Sequence, residues 1–204
     1  MHATVFSPNY NFLYAPDLGT DKIMIYRFRT SADKPLEPAR PDHVTSIPGS
    51  GPRHFTFHPN KPYAYAIEEL SGTVVAYKYK DGALSLIQRM TSHPVSYTGA
   101  IGSADIHISP DGKFLYASNR GDANNIAIFA IDTRTGRLQL KDFQSTLGLT
   151  PRNFMIDPTG RYLLVANQQS NNIVIFKRNP DTGLLSQTSE EIKVPTPVCL
   201  KMMK

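Results

Sequence analysis

Cysteine is almost absent from this chain: Cys199 is the single thiol in 204 residues. One thiol excludes an internal disulfide framework and leans towards a reducing, cytoplasmic setting. Long apolar runs are absent too. Nothing approaches the run of about 18 residues that a membrane-crossing helix needs. The first residues, MHATVFSPNYNF, lack the basic region and apolar stretch of a secretory leader. No window of helical length carries a 3.6-residue apolar period. No glycine-rich loop of the nucleotide or dinucleotide type is present, so no such cofactor is expected. No basic tract with interleaved aromatics points to nucleic acid. His54 and His58 stand four apart on an expected strand with no third ligand nearby, so no metal is expected. The net charge of +5 comes from scattered Lys and Arg; it suits a small anionic ligand but also an ordinary solvated surface.

What is present is repetition. Four prolines, Pro8, Pro59, Pro110 and Pro158, stand 51, 51 and 48 residues apart. Around them the chain reads VFSPNYNFLYAPD, TFHPNKPYAYAIEE, HISPDGKFLYASNR and MIDPTGRYLLVANQ. Each unit is a short apolar stretch, a turn about the proline, and a second alternating stretch. A third stretch follows (DKIMIYRF, GTVVAYKY, NNIAIFAI, NNIVIFKR), then a turn and a weaker fourth, as in DGALSLIQRM. Val, Ile, Tyr and Phe in period-two alternation, punctuated by turn residues, are strand signals. Four antiparallel strands per unit of roughly 50 residues is the pattern of a β-propeller blade. The expected fold is therefore all-β, with blades at 1–49, 50–98, 99–147 and 148–195 and the start of a closing strand at 196–204.

In a propeller, the innermost strand of each blade lines the axis. Its start and the loop between the second and third strands open on one face. Those positions fall six residues before and ten residues after each proline. The first holds His2, Arg53, Ala104 and Arg152; the second holds Leu18, Glu69, Arg120 and Gln168. The frame recurs while these positions vary in charge and shape, which marks the face for use.

The phrases HATVFSP, APDLGTDKI, GPRHFTFHPNKPYAYAIEEL, ADIHISPDGKFLYASNRG, PRNFMIDPTGRYLLVANQQSNNIVIF and VPTPVCLK closely resemble the seven-bladed propeller lactonases. That family holds cycloisomerase-like 6-phosphogluconolactonases and carboxymuconate cyclases. The resemblance runs from Met1 to about Lys201. It implies a catalytic set of His2, Arg53 (in GPRH), Glu69 and Arg120 (in NRG). The family's Asn before the glutamate is here Glu68, and strand alternation lets only one of the two acids face inward. Four repeats against seven blades imply the C-terminal part of a longer propeller.

Lactone opening needs an activated water, a stabilised acyl oxyanion and a hold on the substrate. Glu69 is the expected general base, with His2 as alternative base or proton shuttle. Arg53 and Arg120 are expected to bind anion and oxyanion, Arg152 a substrate phosphate, and Gln168 the substrate. The expected ligand is a small anionic sugar lactone, with 6-phosphoglucono-1,5-lactone first and muconate cyclisation as the alternative. A non-catalytic propeller serving as an interaction platform is the reading from another class. Structural roles compete for each residue: an arginine pairing with the next blade, Glu69 in solvent, a frayed His2. Asp105 and His107 look catalytic, but His107 falls inside an inner strand and is expected to be packed, as is Cys199. Uncovered faces on the outermost blades are expected to drive self-association.

Overall fold

Each proline-centred unit folds into a four-stranded antiparallel sheet in simple sequence order. The computed structural model describes residues 1–31 and 33–202. The first blade comprises β1 (Val5–Phe6), β2 (Phe12–Asp17), β3 (Lys22–Phe28) and β4 (Leu36–Thr45). The second comprises β5 (Pro52–Phe57), β6 (Tyr63–Glu68), β7 (Thr73–Lys80) and β8 (Ala83–Thr91). The third comprises β9 (Ser103–Ile108), β10 (Phe114–Asn119), β11 (Asn125–Ile131) and β12 (Leu138–Ser145). The fourth comprises β13 (Pro151–Ile156), β14 (Tyr162–Asn167), β15 (Asn172–Arg178) and β16 (Leu185–Lys193). Among the described residues no helix is long and apolar enough to cross a membrane.

The recurring proline phrase closes the first hairpin of each blade. The residue before the proline donates its backbone N–H to the carbonyl five residues on. These pairs are Ser7 to Phe12, His58 to Tyr63, Ser109 to Phe114 and Asp157 to Tyr162, at 2.8–3.0 Å. That position is polar in every repeat because its side chain also works on the turn. The Ser109 Oγ accepts from the Phe114 N–H at 3.1 Å, and the Asp157 carboxylate accepts from the Tyr162 N–H at 2.7 Å. In the second blade His58 does this and more. Its Nδ1 accepts from the Asn60 N–H, and its Nε2 donates to the Gly112 carbonyl of the third blade at 3.0 Å. His58 is a seam residue.

The core lies between blades, in three layers that join consecutive sheets. The layer between blades two and three holds Tyr65, Ile67, Val74, Ile106, Leu115 and Phe129. Every seam repeats one device. The hydroxyls of Tyr14, Tyr65 and Tyr116 donate to the carbonyls of Gly82, Gly136 and Gly183, each in the third-to-fourth strand turn of the next blade. Phe12, Tyr63 and Phe114 lie over the same glycines so closely that a Cβ there would stand 2.3–2.6 Å from a ring carbon. With φ of +89°, +73° and +76°, these turns are glycine for two independent reasons.

Two expectations are corrected beyond the fourth blade. Residues 196–202 form no strand, so the closing strand expected at 196–204 is not started there; residues 203 and 204 lie outside the described residues. Among the described residues of this tail, the Leu200 N–H alone reaches back to an inner strand, donating to Asn153 Oδ1 at 2.6 Å. Cys199, expected to be packed, is exposed.

Candidate functional site

The inner strands of the second, third and fourth blades open with an irregularity at the first face position. Pro52 pairs with Glu68 and His54 with Ile67, so Arg53 is an extra residue in the ladder. Arg152 is likewise extra between Pro151 and Asn153, and the third blade's pairing shifts beside Ala104. A bulge of this kind re-aims a side chain. It releases Arg53 from strict alternation, so that Arg53 and its neighbour His54 act on the same cluster. The second face position is tied to the first strand by backbone. The N–H groups of Glu69, Arg120 and Gln168 donate to the carbonyls of Gly51, Gly102 and Thr150 at 2.7–3.1 Å.

These tethers bring three expected residues into direct contact. Glu69 stands between two arginines, with Oε2 2.8 Å from Arg53 Nε and Oε1 2.6 Å from Arg120 Nη2. Arg53 is 1% exposed, and its Nη1 donates to the Ala104 carbonyl. Burial drives the Arg53 guanidinium down to about 10 despite the opposing charge of Glu69, with Arg120 and Arg152 adding to the fall. Arg120 also holds its own strand end, Nε to the Gly102 carbonyl at 2.9 Å. Glu68 faces elsewhere. Wholly buried, it is bonded by Arg89 and by the Ser71 hydroxyl at 2.9 Å. Alternation thus sorts the two adjacent acids, Glu69 to the face and Glu68 to the blade interior.

His2 is held by its backbone N–H on the Pro16 carbonyl at 2.9 Å, and its exposed ring stands 5.2 Å from that of His54. Partial desolvation, then the charge of Arg53 and the proximity of His54, bring its pKa down to about 4. Arg152 is half-buried and close enough to His2 to add to that fall. Gln168 is half-buried on the loop after β14, and among the described residues its side chain makes no hydrogen bond to the other five. No group of three or more His, Cys, Asp or Glu among the described residues can hold a metal ion.

The sequence reading weighed Asp105 only beside His107 and His54 only beside His58 as a metal pair, and did not join Asp105 to His54. Asp105 is buried and accepts from His54 Nδ1 at 2.6 Å, from His107 Nε2 at 3.0 Å and from Asn153 Nδ2 at 2.5 Å. Burial alone would raise its pKa, but His107 and His54 outweigh this and hold it far below the carboxylate range. The signal was present. His54, Asp105 and Asn153 occupy one repeat position, the residue after the first face position, and Ala3 is its counterpart in the first blade.

A family model described as lactonase, 7-bladed beta-propeller matches residues 1–202. A 6-phosphogluconolactonase of Formosa agariphila is 45% identical over 99% of the chain, and one of Bacillus subtilis is 36% identical over 99%. The solved periplasmic gluconolactonase of Pseudomonas aeruginosa superposes with a TM-score of 0.93 at 39% identity, over 98% of the chain and 56% of its own length. The chain spans 57% of the length of the two curated relatives, the share that four blades make of seven. The expectation that these are the C-terminal blades is not kept, because that share gives their number and not their place in the ring.

Proposed function

Because the chain belongs to the seven-bladed β-propeller lactonase family, we propose that its four blades carry the reactive face of a sugar-lactone hydrolase. The substrate of this reading is 6-phosphoglucono-1,5-lactone, opened to 6-phosphogluconate. The observation that carries it is the Glu69 carboxylate clamped between Arg53 and Arg120 at the head of the inner strands. Water attacks the lactone carbonyl, and its proton passes to Glu69 or to His2, which is neutral at pH 7 with its pKa near 4. Arg120, partly open to the face, stabilises the acyl oxyanion. The ring C–O bond then breaks and the leaving oxygen takes the proton back. Arg152 meets the substrate's phosphate and Gln168 its hydroxyls. Buried Arg53 acts by holding Glu69 in place. Carboxymuconate cyclisation remains the second reading, since the motifs of the sequence resemble both kinds of enzyme and the same charges would stabilise either reaction.

The single cysteine supports a cytoplasmic setting for this reading. The reading also includes self-association of the four-bladed chain through the outer faces of its terminal blades.

The test is release of 6-phosphogluconate from the lactone by a seven-bladed ring containing these blades, set beside the 204-residue chain. The ring is expected to turn over and its Glu69→Gln form to lose nearly all activity. The chain alone is expected to be inactive or nearly so, since half the wall that excludes water is lacking. A ring that leaves the lactone untouched overturns the reading.

A further inference from the structure

Five donors converge on Asp105. To the contacts of His54, His107 and Asn153 are added the backbone N–H groups of Ile106 at 2.9 Å and Phe154 at 3.2 Å. A carboxylate with that many donors is ionised and can only accept. The proton between Asp105 and His54 therefore sits on His54 Nδ1. On the other side of the ring, His54 Nε2 lies 3.1 Å from Arg53 Nη1, which can only donate. So His54 is a neutral imidazole of fixed tautomer, with both nitrogens in use. Its free lone pair points at a residue 1% exposed, so it is not aimed at the open face as a base.

The contacts form one line: Asp105, His54, Arg53, Glu69, Arg120. It begins and ends on the third blade and crosses the second in between. Arg53 is held along this line from two sides, by a hydrogen bond from Nη1 to His54 Nε2 and by an ion pair of Nε with Glu69 at 2.8 Å that lacks hydrogen-bond alignment.

We propose that Asp105 is a positioning residue of the site, acting through the fixed tautomer of His54 to orient the Arg53 guanidinium on which Glu69 is seated. This rests on the reading of Arg53 and Glu69 as part of the reactive face. A carboxylate serving only to staple three inner strands would leave the Arg53–Glu69 geometry indifferent to His54.

The experiment is NMR on the 204-residue chain, with two-bond proton–nitrogen spectra of the imidazoles and hydrogen exchange at Arg53 Nε. Wild type is expected to show His54 protonated at Nδ1 and bare at Nε2. His54→Leu is expected to speed exchange at Arg53 Nε about tenfold, the scale of one lost hydrogen bond. His54→Gln, which can donate to Asp105 and accept from Arg53, is expected to recover most of that protection. Asp105→Asn should match His54→Leu; if it does not fold, the two variants at His54, a side chain 23% exposed, decide alone. A His54 protonated at Nε2, or an Arg53 signal unmoved in His54→Leu, overturns the proposal. Neither readout needs turnover, so a ring without lactonase activity would sink the proposed function and leave this relay standing.

Discussion

At the seam between the second and third blades, Tyr65 is fully buried with its hydroxyl on Gly136, and Tyr63 is 7% exposed over the same turn. On the far face of the fourth blade the same repeat positions are Leu164 and Tyr162, and Tyr162 is 39% exposed. There they border a surface hollow with Ile175, Thr188 and Met202. The aromatic that covers a glycine turn is thus kept where no turn lies against it among the described residues, while the hydroxyl that would bond the turn is gone. The strand pattern alone does not bury these side chains. A neighbouring turn does, and each blade depends on the next for the environment its own sequence anticipates.

That contrast can be tested by substitution. The largest effect is expected within the seam nearest the axis. Arg53→Ala removes a buried cation that Glu69, His54 and the Ala104 carbonyl all use, and should cost about 3 kcal/mol in urea unfolding, the scale of a broken buried pair. A loss below about 1 kcal/mol would mean the cluster is far wetter than its burial implies. Next is Gly136→Ala. With φ of +73° and a ring carbon 2.6 Å from the new Cβ, it should cost about 2 kcal/mol by overpacking and backbone strain together. Tyr65→Phe, which deletes only the seam hydrogen bond, should cost about 1 kcal/mol in thermal unfolding.

On the uncovered face the ordering should invert. Leu164→Gln and Tyr162→Lys are expected to move stability by less than about 0.5 kcal/mol. They should shift the chain towards monomer in sedimentation velocity; an unchanged distribution would remove this face from self-association. The smallest effect is at His2. Its ring is expected to titrate near pH 4 by NMR, so it stays neutral from pH 7 down to about 5 while an unfolded-chain histidine becomes charged through 6.5. A folded pKa below the unfolded one means protonation favours unfolding as pH falls. A midpoint near 6.5 would separate His2 from Arg53 and the rest of the cluster.

The blade period, the hairpin closures and the convergence of Arg53, Glu69 and Arg120 were legible because they recur at fixed distances from a proline. The choice between Glu68 and Glu69 was legible as a rule of alternation, and needed the structure only to say which acid took which side. Asp105 was not read correctly because two of its side-chain partners, His54 and Asn153, lie one blade away on either side. Each partner is a single polar letter inside a strand, and only stacking the repeats aligns His54, Asp105 and Asn153. The double inward use of Arg53 and His54 was hidden for a different reason: it violates period two, and a bulge leaves no letter of its own. The exposure of Cys199 and the unpaired tail depend on what the fourth blade packs against, which strand patterning within the chain does not specify.

The bulges at the heads of the inner strands have a consequence for how such a protein changes. A residue that belongs to no rung of the ladder can be exchanged without disturbing the register of its sheet. The heads of the second, third and fourth blades read Arg53, Ala104 and Arg152 on frames that are otherwise alike. Each is a socket, and from the one that holds Arg53 a contact runs to the adjacent third blade. Ala104 is the socket left blank: it offers its carbonyl to Arg53 and no side-chain charge of its own. A ring built this way can change one head at a time without shifting the register of its strands, but a buried occupant such as Arg53 carries stability as well as chemistry.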